Sequence, residues 1–255
     1  MSYPTWSDLN SPSIVSPHGS RRVQDLGPAA LMVSAAADFE YIRSNFGTCT
    51  AMPFFNGHLL KYEDGIVVAG PYIGAPYGVM LLESLIAQGV THVIILGWCG
   101  ALTPALVPSD IVVPNQAICD EGTSRHYMAF QNDPPSTAPD VSFHRDLLQA
   151  LQLKTDIPNG AIHIGPIWTT DAIYRETREK VDWYAGQGVL AVEMECSALF
   201  AVATFRHVSA AAVLVVSDSL AHESGEWQPG FGNKTFKHMR KMACCSAMEI
   251  TRKLK

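Results

Sequence analysis

Residues 78–100 read GVMLLESLIAQGVTHVIILGWCG. Residues 78–88 have the composition and pattern of a helix, and Gly89 stands where a helix stops, because glycine takes the left-handed cap without a Cβ penalty. Residues 91–96 then form a near-continuous apolar run, the mark of a strand covered on both faces. Working outward, the same alternation repeats. Residues 30–34 read as a strand and 36–46 as a helix with Asp38 in its first turn. Residues 59–62 and 66–69 read as strands joined by the turn Glu63-Asp64-Gly65, a hairpin signal. Strands follow at 111–118, 161–168, 188–192 and 208–216, with helices at 141–153, 175–185, 193–205 and 234–255 and a polar, Pro-rich loop at 131–139. Strands alternating with helices of this length predict an α/β fold. The expected form is a single-domain three-layer α/β/α sandwich with a central mixed, mostly parallel sheet. Residues 1–28, rich in Ser and Pro and without a period, are expected to form an extended N-terminal arm, and 29–255 the domain.

Composition removes several classes of function. The chain has 255 residues, a formal charge of −6, 16% charged and 47% hydrophobic residues. That is too apolar for a disordered chain and too acidic for a nucleic-acid binder, which needs clustered Lys and Arg. Low charge also suggests extra buried surface between subunits. No run approaches the roughly 20 apolar residues of a membrane span, and residues 1–10 carry neither a basic nor an apolar signal region, so a cytoplasmic protein is expected. The six cysteines make no CxxC or Cys/His ligand spacing and read as reduced, small hydrophobes, with no metal indicated.

In open α/β sheets ligands sit at the carboxyl ends of strands. Four places qualify: Gly97-Trp98-Cys99-Gly100, Thr169-Thr170-Asp171, Glu193-Met194-Glu195 and Ser217-Asp218-Ser219. The pair Glu193 and Glu195 sits at a strand–helix junction. If both were helical they would point about 200° apart, so one can face a pocket while the other braces the turn. An ionised carboxylate accepts two hydrogen bonds side by side, which suits a vicinal diol; acidic residues in a first helical turn also simply favour the helix dipole. Asp218 closes an apolar run; partly desolvated, its pKa would rise and it could donate a proton, or it could make an Asx-type turn. Residues 97–100 read as a glycine turn able to bring backbone N–H groups to an anion or heterocycle, or as a tight turn around a core Trp.

Together these segments resemble the nucleoside phosphorylase family that includes uridine phosphorylases, hexameric purine nucleoside phosphorylases and methylthioadenosine nucleosidases. The likeness runs from about Ala29 to the end. It is carried by Tyr72-Ile73-Gly74-Ala75-Pro76 with Glu83, Leu96-Gly97-Trp98-Cys99-Gly100-Ala101, Ser109-Asp110-Ile111-Val112-Val113, Asp120-Glu121-Gly122-Thr123-Ser124 with Tyr127, Val192-Glu193-Met194-Glu195-Cys196-Ser197-Ala198, and Val216-Ser217-Asp218. The resemblance implies cleavage of a nucleoside N-glycosidic bond, with inorganic phosphate as co-substrate, no cofactor, and a homo-oligomer, a dimer or trimer of dimers. It implies that Glu195 holds the ribose hydroxyls, that Met194 packs under the sugar, and that Glu193 lines the sugar or base end. Asp218 would protonate or hydrogen-bond purine N7, which tilts the substrate towards purines; Tyr174 would be the stacking ring, and Trp98, Cys99 and Gly100 would line the site.

The sequence departs from the family where phosphate would bind. The loop Ser34-Ala35-Ala36-Ala37-Asp38 lacks the expected arginine, Ile95-Leu96 stands where another would lie, and Trp98 replaces a small hydroxyl residue. A third arginine has no counterpart near 51–55. Arg43, Arg125, Arg178, Lys61, His58 and the Arg21-Arg22 pair are candidate replacements. The arginine that supports the catalytic acid falls at Gly232-Asn233, with Lys234 as the nearest cation. Three readings follow: a phosphorylase with a remodelled phosphate site; a nucleosidase in which Trp98 fills that site and Asp38 or Glu40 activates water; and a non-catalytic nucleoside-binding protein.

Overall fold

The computed structural model describes residues 9, 11–17, 25–130, 133–154, 157–158, 161–221 and 226–254. The Arg21-Arg22 pair lies outside them. Strand β1 (Ala29–Val33) leads into helix α1 (Ala36–Asn45), followed by the meander β2 (Cys49–Phe54), β3 (Gly57–Tyr62) and β4 (Val67–Gly70). Then come α2 (Ala75–Ile86), β5 (His92–Ala101), β6 (Ile111–Asp120), the short β7 (Ser136–Thr137), α3 (Val141–Gln152) and β8 (Ile162–Thr170). The chain finishes with α4 (Arg178–Gly186), β9 (Ala191–Glu193), α5 (Cys196–Arg206), β10 (Ser209–Ser219), the short β11 (Gln228–Pro229) and α6 (Lys234–Arg252). The expected hairpin turn is present: Gly65 N–H donates to the Tyr62 carbonyl and Gly65 has φ +85°.

The strands form one mixed sheet in the order β11-β10-β6-β8-β9-β5-β1-β4-β3-β2, and β10 also pairs with β5. That extra pairing closes a ring through β5, β10, β6, β8 and β9. Pairing is parallel along β4–β1–β5–β10 and β6–β8–β9, and antiparallel in the meander, between β10 and β6, and between β5 and β9. Helices α2 and α5 cover one face and share a core with Leu82, Leu85, Leu199 and Phe200. Helices α1, α3 and α6 cover the other, around Phe39, Leu147, Phe236 and Met248. Helix α5 is buried without a break from Cys196 to Ala203. Its alanines and serine let it lie close against the sheet, so its first turn is a fixed platform.

Two sequence expectations are corrected. Residues 97–100 are not a turn: β5 continues through them to Ala101, because β10 and β9 both hydrogen-bond to this end of the strand. Helix α5 starts at Cys196, three residues later than expected, because Val192 and Glu193 pair with Trp168 and Thr169 of β8. Glu193 is therefore a strand residue and Glu195 the residue that caps the helix.

Candidate active site

The ends of β5, β9 and β10, the loop after β8 and the loops before α1 and α2 surround a cavity of about 990 Å³. Its wall includes Glu193, Met194, Glu195, Asp218, Trp98, Cys99, Gly100 and Tyr174, so all eight residues expected from the sequence meet at one place. Tyr72, Tyr77, Glu176, Trp227 and Phe231 join them. No motif singles out any of these five as a site residue; only burial and tertiary contact bring them there.

The two carboxylates of the β9–α5 junction divide their work as the spacing suggests, though not through helical geometry. Glu193 is enclosed. One of its oxygens accepts from the N–H groups of Glu195 and Cys196, both at 2.8 Å, and the other accepts from the Thr169 hydroxyl. It braces the turn and caps the first N–H groups of α5. Burial raises its pKa and those donors oppose the rise. Glu195 spends one oxygen on the Gly74 N–H, at 2.5 Å. Gly74 has φ +82° and precedes α2, so Glu195 ties the N-terminal ends of two helices together. Among the described residues no side chain hydrogen-bonds to Glu195, which lines the cavity. Burial, with repulsion from Glu193, pushes the Glu195 carboxyl up to about 8, against the backbone donors of Gly74 and Met194.

Asp218 sits just past a bulge in β10, opposite Gly100 on β5. A bulge re-aims a side chain, and here a Cβ on Gly100 would lie 3.1 Å from the Asp218 carboxylate and 2.7 Å from Leu220. Glycine is needed there because Asp218 and Leu220 fill the space. The Asp218 oxygens accept from the Ser217 hydroxyl at 2.6 Å and from the Trp227 indole N–H at 2.7 Å. Burial raises its pKa; those two donors hold it down. The arginine expected to support this acid is replaced by an indole, and Lys234 does not reach the cavity wall.

On the same wall Trp98 donates its indole N–H to Asp38, at 2.6 Å. Asp38 is fully buried on α1, and its other oxygen accepts from Arg240 of α6 at 2.5 Å. Burial raises the Asp38 carboxyl while Arg240 and Trp98 oppose the rise. Trp98 packs on Phe231 and Phe236. The corner formed by Ser34, Ala35, Ala36 and Ala37 is thus closed by a tethered indole. Among the described residues, no Lys, Arg or His lines the cavity. Arg43, Arg125, Arg178, Lys61 and His58 all lie elsewhere, and Arg43 pairs with Glu40 on the surface. Asp38 and Glu40 do not line the cavity either, so neither faces a water there. Tyr174 is 96% exposed at the rim, a ring presented to a ligand or partner rather than to the core.

An α/β sheet with acidic side chains converging from separate element ends on one open, largely apolar cavity has the form of a small-molecule site. Residues 22–254 match the model of the Phosphorylase superfamily, and the chain belongs to that family. A purine nucleoside phosphorylase of the DeoD type from Caldanaerobacter subterraneus is 33% identical over 183 residues, 70% of this chain and 74% of the relative. A guanosine phosphorylase from Halorubrum lacusprofundi is 32% identical over 155 residues, and the match spans 61% of each chain. Uridine phosphorylase from Vibrio fischeri superposes with a TM-score of 0.73 at 20% identity, covering 96% of this chain and 95% of that one; at that identity the likeness concerns the fold.

Proposed function

We propose that this chain cleaves the N-glycosidic bond of a purine nucleoside. One observation carries the reading: Glu195, at the start of α5, and Asp218, at the end of β10, line the same cavity, whose wall also includes the apolar Met194, Val192 and Cys99. Glu195 binds the ribose hydroxyls through its uncommitted oxygen. As the bond breaks, positive charge grows on the sugar ring, and the carboxyl oxygens of Glu195 and Glu193 beside it stabilise that charge where it develops. The carboxyl end of the cavity around Asp218 protonates or hydrogen-bonds the departing base, which makes it a better leaving group. Tyr174 stacks on the base from the rim.

Two acceptors compete for the ribosyl group. The relatives are named as phosphorylases, which supports phosphate, giving ribose 1-phosphate; the cation that phosphate needs would then come from a second copy of the chain. The cavity itself favours water, giving free ribose. Its wall carries carboxylates without a cation among the described residues, and Arg240 is spent on Asp38 behind Trp98. Charge-assisted contacts are the main source of phosphate affinity. The test incubates the protein with inosine, guanosine, adenosine and uridine, with and without phosphate. Purine release supports the reading; release of uracil alone, or of nothing, overturns it. Ribose 1-phosphate formed only with phosphate identifies phosphate as acceptor, and free ribose formed at a rate independent of phosphate identifies water.

A further inference from the structure

Glu176 lies in the cavity wall, on the single turn (Ile173–Arg175 and the residue after it) between β8 and α4. Its carboxyl has no hydrogen-bond or ion-pair partner among the described residues, unlike every other acid of the wall. Glu193 holds three donors and Asp218 two, and backbone N–H groups of Gly74 and Met194 favour the Glu195 anion. Donors favour the ionised carboxylate. Asp218 has a hydroxyl on one oxygen and an indole N–H on the other, two donors that favour its anion and oppose the rise that burial imposes. Glu176 has no such donor on either oxygen, and the charge of Lys180 alone favours its anion. The cation that acts on it is Lys180, whose ammonium is 2.7 Å from Asp120 and also over the Trp168 ring. Arg178 donates to the Leu220 carbonyl, at 2.9 Å. Facing Glu176 from β10 is the negative Asp218, and Glu193 and Glu195 are the other charged groups of the wall.

We propose that Glu176 is the proton donor of the leaving base, and that Asp218 is the anion that keeps the proton on Glu176. This rests on the reading that a purine nucleoside is cleaved here. As C1′–N9 breaks, its electron pair passes to the purine, the Glu176 O–H proton goes to a ring nitrogen of the base, and Glu176 is left as a carboxylate. The ribosyl cation is taken by the acceptor, which loses a proton if it is water. Solvent reprotonates Glu176 after the base departs. Asp218, already ionised, accepts a hydrogen bond from the protonated base. Burial and the charge of Asp218 together hold the Glu176 carboxyl up to about 7, against Lys180, which is where a proton donor is effective at neutral pH.

Two measurements test this on the full chain. Carboxyl carbon NMR titration of protein labelled at Glu should show one carboxyl, absent from Glu176→Gln, that titrates near neutral pH in the wild type and at least one pH unit lower in Asp218→Asn. A Glu176 carboxyl titrating between pH 4 and 5, or unmoved by Asp218→Asn, overturns the inference and leaves the proposed function standing. In turnover of the nucleoside that the wild type cleaves fastest, kcat/KM should fall above pH 7. Glu176→Gln should lower it on the order of 100-fold at pH 7 and abolish that neutral-pH limb; a variant that keeps the wild-type rate and limb overturns the inference. Failure of the wild type to cleave any nucleoside overturns the underlying reading instead, and the titration still decides where the proton rests.

Discussion

At the scale of single residues, Glu195 and Glu193 show how neighbours with one side-chain type acquire different duties. Glu193 has both oxygens committed to the protein, whereas Glu195 keeps one for a ligand. Glu195→Ala removes the hydrogen-bond acceptor for a diol and also frees the Gly74 N–H. Hydrogen bonds to a neutral carboxyl are worth roughly 0.5–1.5 kcal/mol each, so nucleoside affinity should fall on the order of 10-fold while affinity for the free base changes little. Titration calorimetry with nucleoside and base separates the two; equal losses for both ligands sink the sugar-gripping role. Asp218→Asn keeps the acceptor for Trp227 and most of the volume, so it should slow purine cleavage by roughly 10-fold or more at pH 7. Its thermal midpoint should stay within a few degrees of wild type. Unchanged turnover would remove Asp218 from the reaction.

At the scale of elements, the join between α1, β5 and α6 is held by Trp98, Asp38 and Arg240. Asp38 is fully buried and the Arg240 side chain is only 15% exposed. Deleting one partner of such a pair leaves an uncompensated buried charge, at a cost of roughly 3–5 kcal/mol. Asp38→Ala should therefore lower the urea midpoint strongly and release the Trp98 ring, visible as a change in indole fluorescence. A variant as stable as wild type, with an unmoved Trp98 signal, refutes the join. Asp38 is legible in the sequence as a first-turn acid, but Arg240 is not: it comes from a helix some 200 residues later, and no periodicity encodes that pairing. The same limit applies across the fold. The strands at 30–34, 91–96 and 208–216 are readable because both faces are covered and apolar runs mark them. Strand β2 is not, because its residues are mostly exposed or half-buried and include Pro53. The extension of β5 through Gly97 and Gly100 is hidden because glycine is a turn signal locally and only β9 and β10 keep it extended. The acids at the ends of β9 and β10 are legible from those places. Glu176 is not, since its loop carries no motif and its meaning lies in the partners it lacks.

At the scale of the whole molecule, the buried acids make folding depend on pH with a definite sign. The Glu195 carboxyl, ordinarily near 4.5, is pushed up to about 8 and Glu176 up to about 7. Between about pH 4.5 and 8 the native chain therefore holds protons that the unfolded chain has released. The slope of unfolding free energy with pH follows protons bound unfolded minus protons bound native, which is negative here. The stabilisation is complete below 4.5 and is lost as pH rises through 8. Asp38, Asp218 and Glu193 are raised as well and act in the same direction. Asp140 opposes them, because the Phe143 N–H and the Ser142 hydroxyl hold it below its usual 3.8. Its contribution disappears only in stronger acid, outside this window. For Glu195 the loss is on the order of a few kcal/mol, since each tenfold difference in proton affinity between the native and unfolded chain is worth about 1.4 kcal/mol. Thermal unfolding followed from pH 5 to 8.5 should show the midpoint falling by several degrees, and Glu195→Gln, which keeps an acceptor for Gly74 without ionising, should flatten the fall. A ligand that binds the neutral acid form would steepen it. A midpoint that rises over this range, or falls equally in Glu195→Gln, would mean that the carboxyl is ionised in the empty cavity, and the sugar-gripping acid would then be charged before any substrate arrives.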